Sequence, residues 1–360
     1  PRGIDVGVDG TVYVADAGVA GDDCIEIPGE GEEEEPFLFC SGPSGAILAI
    51  SDGEVTEALG GFTSWRFSEG EFIGPQDVVL GADGVFRVIV GLGSDPALRD
   101  EVGDLAGDLG FLLEVSSAGV VFGALDIAQW ESDNNPDGAQ IDSNPYGIAI
   151  AADDSIIVSD AGANALLHVN PEGVITTLAT FPTRMVPFGD GEIPMHAVPT
   201  GVTVGPDGAF YVGELTGFPF PEGAARVWRV TAEGEASVYV SGFTNIIDVE
   251  FDADGNLYVL EMVAGGLLNA TDDLESLAAR ITRVAEDGTR QVMVDGGIYF
   301  ATGLAVNADG SFYVSNFGVM PGMAQVVHIT FDVENGGGSG EKGMVLAALF
   351  QRRPYKKKGL

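Results

Sequence analysis

The chain has 360 residues, of which 45% are hydrophobic, 20% are charged and 53 are glycine. That composition can bury a core and suits many short strands joined by tight turns rather than long helices or disorder. Its 55 acidic against 16 basic residues give a formal charge of −39, a field that repels nucleic acid and anionic membrane surfaces and excludes nucleic-acid binding by the main body.

No segment approaches the roughly 20 uninterrupted apolar residues of a membrane-spanning helix, and no signal peptide stands before the strand motif that opens at Pro1. Such a start fits a processed or trimmed precursor. In chain order, a hairpin motif then recurs six times: GIDVGVDGTVYVAD from Gly3, DVVLGADGVFRVIV from Asp77, GIAIAADDSIIVSD from Gly147, GVTVGPDGAFYVGE from Gly201, DVEFDADGNLYVLE from Asp248 and GLAVNADGSFYVSN from Gly303. Each copy is two alternating apolar runs around an Asp-Gly or similar turn.

A second pair of strands follows the hairpins, as in AILAISDGEVTEAL from Ala46, FLLEVSSAGVVFGAL from Phe111 and LLHVNPEGVITTLA from Leu166. Four antiparallel strands per unit, with no helical period between units, predict an all-β fold: a six-bladed β-propeller over residues 1–335. The sixth unit supplies its third strand in AQVVHITFDVE and then breaks into glycine-rich residues 336–342. The run 343–350, GMVLAALF, aligns with GEVTEAL and GVVFGAL and is predicted to complete blade six as a C-terminal strand. Residues 351–360 form a basic tail with Arg352, Arg353, Lys356, Lys357 and Lys358, and Lys342 precedes the closing strand. This tail is read as a solvated or appended segment, or as an anchor for an acidic partner, including another copy of the chain.

Turns joining strands one to two and three to four are uniformly short, whereas the other connections hold every long insertion: 16–45, 60–74, 91–110, 126–144, 180–198, 214–224 and 261–278. One end of the ring is therefore plain and the other elaborated, and binding or catalysis is expected on the elaborated end. Within it, Leu98, Val102, Leu105 and Leu109 have helical spacing and predict a short capping helix over 95–109. The two cysteines, Cys24 and Cys40, fall in one loop with the acidic run Glu30, Glu32, Glu33, Glu34 and Glu35. Their placement favours a local disulfide, and with it an oxidising compartment, over two unpaired thiols.

Two groups of side chains are candidates for ligand chemistry. Asp16, Asp160, Glu214, Glu261 and Asn316 end the second strand of five blades, with Val90 in the remaining one. Carboxylates and an amide from separate blades could hold Ca²⁺ over the channel mouth, or could accept hydrogen bonds from the adjoining loops. Asp77 and Asp248 replace glycine at the inner-strand entrance of blades two and five, which stand opposite each other; Gln76, Tyr146, Thr200 and Thr302 occupy neighbouring entrance positions. They could hold a cation or basic ligand group, or cap the strand.

His168 and His328 occupy equivalent third-strand positions, which suggests packing; His196, in the insertion FGDGEIPMHAVPTG, is the one histidine placed to act on the elaborated end, and no Ser or Cys nucleophile accompanies it. Phe218, Phe220, Trp65, Phe67 and Trp130 could rim a pocket or cover the blade ends.

The segments NPYGIAI with SDAGANALLHV, VPTGVTVGPDGAFYVGELTGFPFPEGAARVWRV and SGFTNIIDVEFDADGNLYVLE resemble the ScyD/ScyE family, named from the cyanobacterial scytonemin gene cluster. The likeness runs from about Pro1 to Val333, includes the two-cysteine loop, and stops short of the acidic insert between the cysteines and of everything after Gly336. It implies an NHL-like propeller, exported to an extracellular or periplasmic location, with no well-established reaction. The leading expectation is an acidic binding propeller using its long-loop end. A Ca²⁺-dependent hydrolase or lyase of the lactonase type, and an assembly built through the basic tail, are the alternatives.

Overall fold

The computed structural model describes residues 1–28, 36–68, 71–320, 322–332 and 343–351. It is a six-bladed β-propeller in which each blade is an antiparallel sheet with its first strand innermost. The inner strands are Ile4–Val6, Pro75–Leu80, Pro145–Ile150, Pro199–Val204, Ile246–Phe251 and Gly303–Val306. Each turns into its neighbour through the short Asp-Gly loops, where glycine takes the left-handed conformation in five hairpins, for example Gly10 at φ +84°, and Asp154 takes it at +66° in the third.

Strand periodicity explains why the sheets form a ring. Successive side chains of one strand point to opposite sides, and here they enter different interfaces. Val88 and Val90 pack with blade one, while Ile89 between them packs with blade three. Likewise Ile156 and Val158 face blade two and Ile157 faces blade four. Tyr211 belongs to the interface of blades four and five, and Tyr258 to that of blades five and six.

The final interface joins Val326 and Ala305 of blade six to Ile4, Val14 and Leu48 of blade one. Blade six is completed by Gly343–Gln351, which pairs with Gln325–Asp332, so the outer strand comes from the C-terminal side as the sequence indicates. The ring seam is stitched by Thr302 Oγ1 donating to the Pro1 carbonyl (3.0 Å) and Ser315 Oγ to the Arg2 carbonyl (2.6 Å). Residues 333–342 and 352–360, including all six basic residues of the tail region, lie outside the described residues.

Blade one departs from the simple pattern. Its strands Phe37–Ser51 and Glu54–Ser68 run on past the blade as a long ribbon, flanked by Asp23–Ile27 and Glu71–Ile73 in a six-stranded sheet. The insertions 16–45 and 60–74 are therefore largely strand rather than loop. Packing accounts for this: Trp65, fully buried, stacks on Phe39 at 4.8 Å and donates its indole N–H to the Leu92 carbonyl (3.1 Å). The ribbon thus leans on the expected capping helix region, present as α1 (Leu98–Val102) and a following 3₁₀ turn (Gly103–Ala106). A second helix, α2 (Ile127–Asn134), was not expected; Asp126 caps it by accepting from the Gln129 N–H at 2.9 Å. The 180–198 insertion carries a separate hairpin, Arg184–Phe188 with Gly191–Met195.

Cys24 and Cys40 are register partners on the ribbon and form a disulfide across 16 residues; the acidic run between them lies within 29–35, outside the described residues. Because the bridge closes a short loop, replacing both cysteines by serine should lower unfolding stability by about 3 kcal/mol in the chain-entropy account. Chemical denaturation of the oxidised protein and the double variant checks this, and equal midpoints would contradict a stabilising bridge.

Candidate functional site at the loop-bearing end

The strand-two termini are committed to the loops they adjoin. Asp160, fully buried, accepts from the backbone N–H groups of Asn144 (2.7 Å), Gly162 (3.1 Å) and Ala163 (3.2 Å) and from Ser143 Oγ (2.8 Å). Asp16 accepts from the Gly18 N–H, Glu261 from the Thr244 N–H and Asn316 from the Tyr299 N–H. Glu214 is buried between Arg184 and Arg226, each at 2.9 Å, and the Trp228 indole N–H. Arg184 thereby fastens the 184–195 hairpin to blade four. These oxygens are engaged by nearby backbone N–H groups or, for Glu214, by side chains, and among the described residues no three His, Cys, Asp or Glu side chains are placed to share a metal ion.

Asp77, Asp248 and Tyr146 come together around the axis. Asp77 accepts from its neighbour Val78 (2.8 Å) and, across the blade boundary, from the Ile148 N–H (3.0 Å). Asp248 does the same with Val249 (2.9 Å) and the Leu304 N–H of blade six (2.8 Å). Tyr146 reaches from blade three toward the opposite blade six, its hydroxyl 3.4 Å from the Thr302 carbonyl oxygen. Thr200 Oγ1 donates to the Ile246 carbonyl (2.9 Å), joining blades four and five as Thr302 joins six and one.

Two further carboxylates, Asp5 and Glu250, lie on the inner strands; Asp5 accepts from the Leu80 N–H of blade two at 2.8 Å. The sequence signal for them was an acid in the middle of an otherwise apolar inner strand, GIDV and DVEF. Burial pushes the Asp248 carboxyl up to about 7, and burial together with Asp248 and Asp5 pushes Glu250 up to about 8. Asp77 is raised in the same direction by burial and by Asp248.

Beside this mouth, a cleft runs over blades two to four. One part, of 270 Å³, is bounded by Ile73, Gly93 and Asn144; the adjoining part, of 320 Å³, by Gln140, Asn164, His196 and Gly217, and Asp142, Ala161, Gly162 and Val198 belong to both. Asn164 accepts from the Val198 N–H through Oδ1 (3.1 Å), so its amide nitrogen faces His196 Nδ1 (3.2 Å), as it does Asp137 (2.9 Å). Nδ1 then accepts in this contact, which selects the tautomer with its N–H at Nε2. The buried oxygens Asp142 Oδ1 and Asn144 Oδ1 have no hydrogen-bond partner among the described residues. Gln76, 4% exposed, and Asn144 both crowd against Gly91, where a side chain would collide with each amide.

An exposed aromatic cluster follows the cleft residue Gly217 in blade four. Phe218, next to Gly217, packs edge-on against Phe188 of the hairpin (5.0 Å) and lies 6.3 Å from Phe220; Phe188 and Phe218 are exposed. Trp65, by contrast, covers the ribbon; the Phe67 side chain lies outside the described residues, and Trp130 packs beneath blades two and three. His328 stacks on Tyr313 at 4.5 Å within blade six. Asp142, Asn144 and Asn164 escaped sequence reading because they sit in irregular loops with no repeat to mark them. A larger depression, 450 Å³, lies at the plain end between blades five and six, but its Asp252 is already engaged by Asn256 and Tyr258.

The fold and this end of it define a six-bladed β-propeller whose long insertions gather at one end. Among solved structures, it is similar to a catalytically inactive variant of virginiamycin B lyase from Staphylococcus aureus, solved with quinupristin, at TM-score 0.51 and 14% identity over 99% of this chain and 85% of that one. It is also similar to a calcium-binding regucalcin from Agrobacterium tumefaciens (TM-score 0.43, 16% identity, 71% of this chain and 70% of that one). A putative gluconolactonase matches at TM-score 0.39 and 17% identity, over 55% of this chain and 61% of that one. At these identities the likeness is one of fold. No family model matches the chain, and no curated protein does.

The inner-strand acids set a pH dependence. Their folded pKa values lie above the ordinary 3.8 of Asp and 4.5 of Glu, so between about pH 4 and 8 the folded state binds more protons than the unfolded chain, and stability falls as pH rises through that window. Glu250→Gln should flatten this slope and be on the order of 2 kcal/mol more stable than the parent at pH 8. Melting curves from pH 5 to 8, with Glu233→Gln as an exposed control, decide it; identical slopes for all three proteins would remove Glu250 as a cause.

Proposed function

We propose that the chain is an exported, acidic binding propeller that receives a ligand in the cleft over blades two to four, without performing a reaction of its own. The observation that carries this reading is the cleft's make-up: apolar Ile73, Ala161 and Val198 beside His196 and Asn144, whose Oδ1 has no hydrogen-bond partner among the described residues. An apolar wall with a few converging polar groups is the usual form of a small-molecule site. The acceptors select a ligand that donates N–H or O–H bonds, and the charge of −39 favours a neutral or cationic one, whether a small molecule or a side chain of a partner protein.

Membership of the ScyD/ScyE family, and an extracellular or periplasmic location, belong to the same proposal. The disulfide is compatible with export, and no described helix is long and apolar enough to cross a membrane. A Ca²⁺-dependent lactonase-like reaction is less well supported, because Asp16, Asp160, Glu261 and Asn316 accept from backbone N–H groups and Glu214 is held by two arginines and an indole. Assembly through the basic tail rests on residues outside the described set.

Binding is tested with a panel of aromatic amines and amides followed by ligand-observed NMR. Ligands of this cleft should bind at least tenfold more weakly to His196→Ala and to Phe218→Ala, while Glu233→Ala binds as the parent does. Hits that ignore both cleft substitutions, or a panel without hits, would count against the assignment.

A further inference from the structure

The insertion between blades two and three contains a carboxylate that the cleft does not explain. Glu131, in the last turn of α2, is 1% exposed, and neither of its oxygens has a hydrogen-bond partner among the described residues. No ion pair among the described residues includes it, and the nearby charges that act on it are the carboxylates Asp160, Asp137 and Asp142. An ionised carboxylate in such surroundings is expensive unless a cation or donors satisfy it.

Its neighbours make the demand larger. Asn135 follows as the helix C-cap, its N–H bonded to the Glu131 carbonyl and its amide nitrogen to the Ala139 carbonyl at 2.9 Å. The Asn135 Oδ1 that remains is buried without a partner, and so is Asp142 Oδ1. Four oxygen acceptors from one segment therefore stand without a donor among the described residues. The end of a helix that carries unsatisfied carbonyls adds further negative potential.

We propose that the 131–142 segment is a site for a hard divalent cation of the Ca²⁺ class, held by Glu131 together with Asn135 Oδ1 and Asp142 Oδ1. Two carboxylates and an amide make an all-oxygen donor set whose two negative charges match one divalent ion. Water and backbone carbonyls would complete the six to eight oxygens such an ion takes. The set has no nitrogen or sulfur ligand, which disfavours Zn²⁺.

A second observation in the sequence agrees. Asp133-Asn134-Asn135-Pro136-Asp137-Gly138 has the spacing of the first half of a calcium-binding loop, with acidic or amide residues at alternate positions and a glycine at the sixth. Gly138 has the positive φ, +67°, that such a turn requires. The residue at the twelfth position is Asn144 rather than Glu, and Asp137 is already occupied by the Ala139 N–H and Asn164, so the ligands are drawn from Glu131 and Asp142 around the loop instead. The site would brace the segment that carries Asp142 into the cleft.

Terbium luminescence excited through tryptophan, with Trp130 adjacent to Glu131, reads the site directly, and Ca²⁺ competition at 0.1 M salt, where the Debye length is about 10 Å, removes diffuse surface binding. The parent should show one saturable site that Ca²⁺ displaces, and Ca²⁺ should raise its melting temperature. Glu131→Gln should bind at least tenfold more weakly and lose the Ca²⁺-dependent rise, whereas Glu233→Gln behaves as the parent. If Glu131→Gln does not fold by circular dichroism, Asn135→Ala is expected to weaken the same site. Equal terbium binding by the folded variant and the parent, or no saturable binding by the parent, would overturn the proposal and leave a buried proton or water to satisfy Glu131.

Discussion

A sheet that is apolar on both sides has no stable existence alone, and this constraint shapes the whole molecule. In the middle strands of these blades, consecutive residues such as Val88, Ile89 and Val90 feed interfaces on opposite sides. Every blade then needs two neighbours, and a closed ring is the arrangement in which none is left uncovered. The seam between blades six and one obeys the same rule, with Val326 against Val14 and Leu48.

With the apolar groups consumed by these interfaces, polar groups collect where strands end. There they meet loops whose backbone N–H groups need acceptors, and the buried carboxylates of Asp160 and Glu261 supply them. The inner-strand acids perform an analogous task between blades, since Asp5, Asp77 and Asp248 each accept from an N–H of the following blade. The acidity of the core thus has a structural origin, and its cost appears as raised proton affinity at Asp248 and Glu250. The cleft differs from both groups, because there some acceptors find no donor among the described residues.

The repeat carried most of the fold in plain view. Hairpin turns, strand alternation, the closing strand at 343–350 and the helix near Leu98 all follow from local periodicity, which a single sequence displays. The blade-one ribbon was hidden because its extension depends on a tertiary contact, Trp65 on Phe39 against Leu92. Helix α2 was hidden by weak amphipathicity in a polar stretch, WESDN, although Asp126 at its cap was a usable signal. Of the site, Asp77 and Asp248 stood out as departures from the repeat, and His196 stood out as the one histidine in a long insertion. Its cleft partners did not, because His196 meets Asn164 and shares a cavity with Asp142 only through the folding of three separate loops.

The two entrance aspartates also limit how alike the blades can be. Asp77 packs over Gly3 of the preceding blade and Asp248 over Gly201, and a side chain at either glycine would strike the carboxylate. The six entrances read Gly, Asp, Gly, Gly, Asp, Gly around the ring, a half-turn symmetry shared by Ser159 and Ser315, which donate to the Thr200 and Arg2 carbonyls. Blades two and five are therefore not spare parts. A ring made of six identical copies of blade two would set each aspartate against the next, so a blade that carries the aspartate can only follow one that opens on glycine.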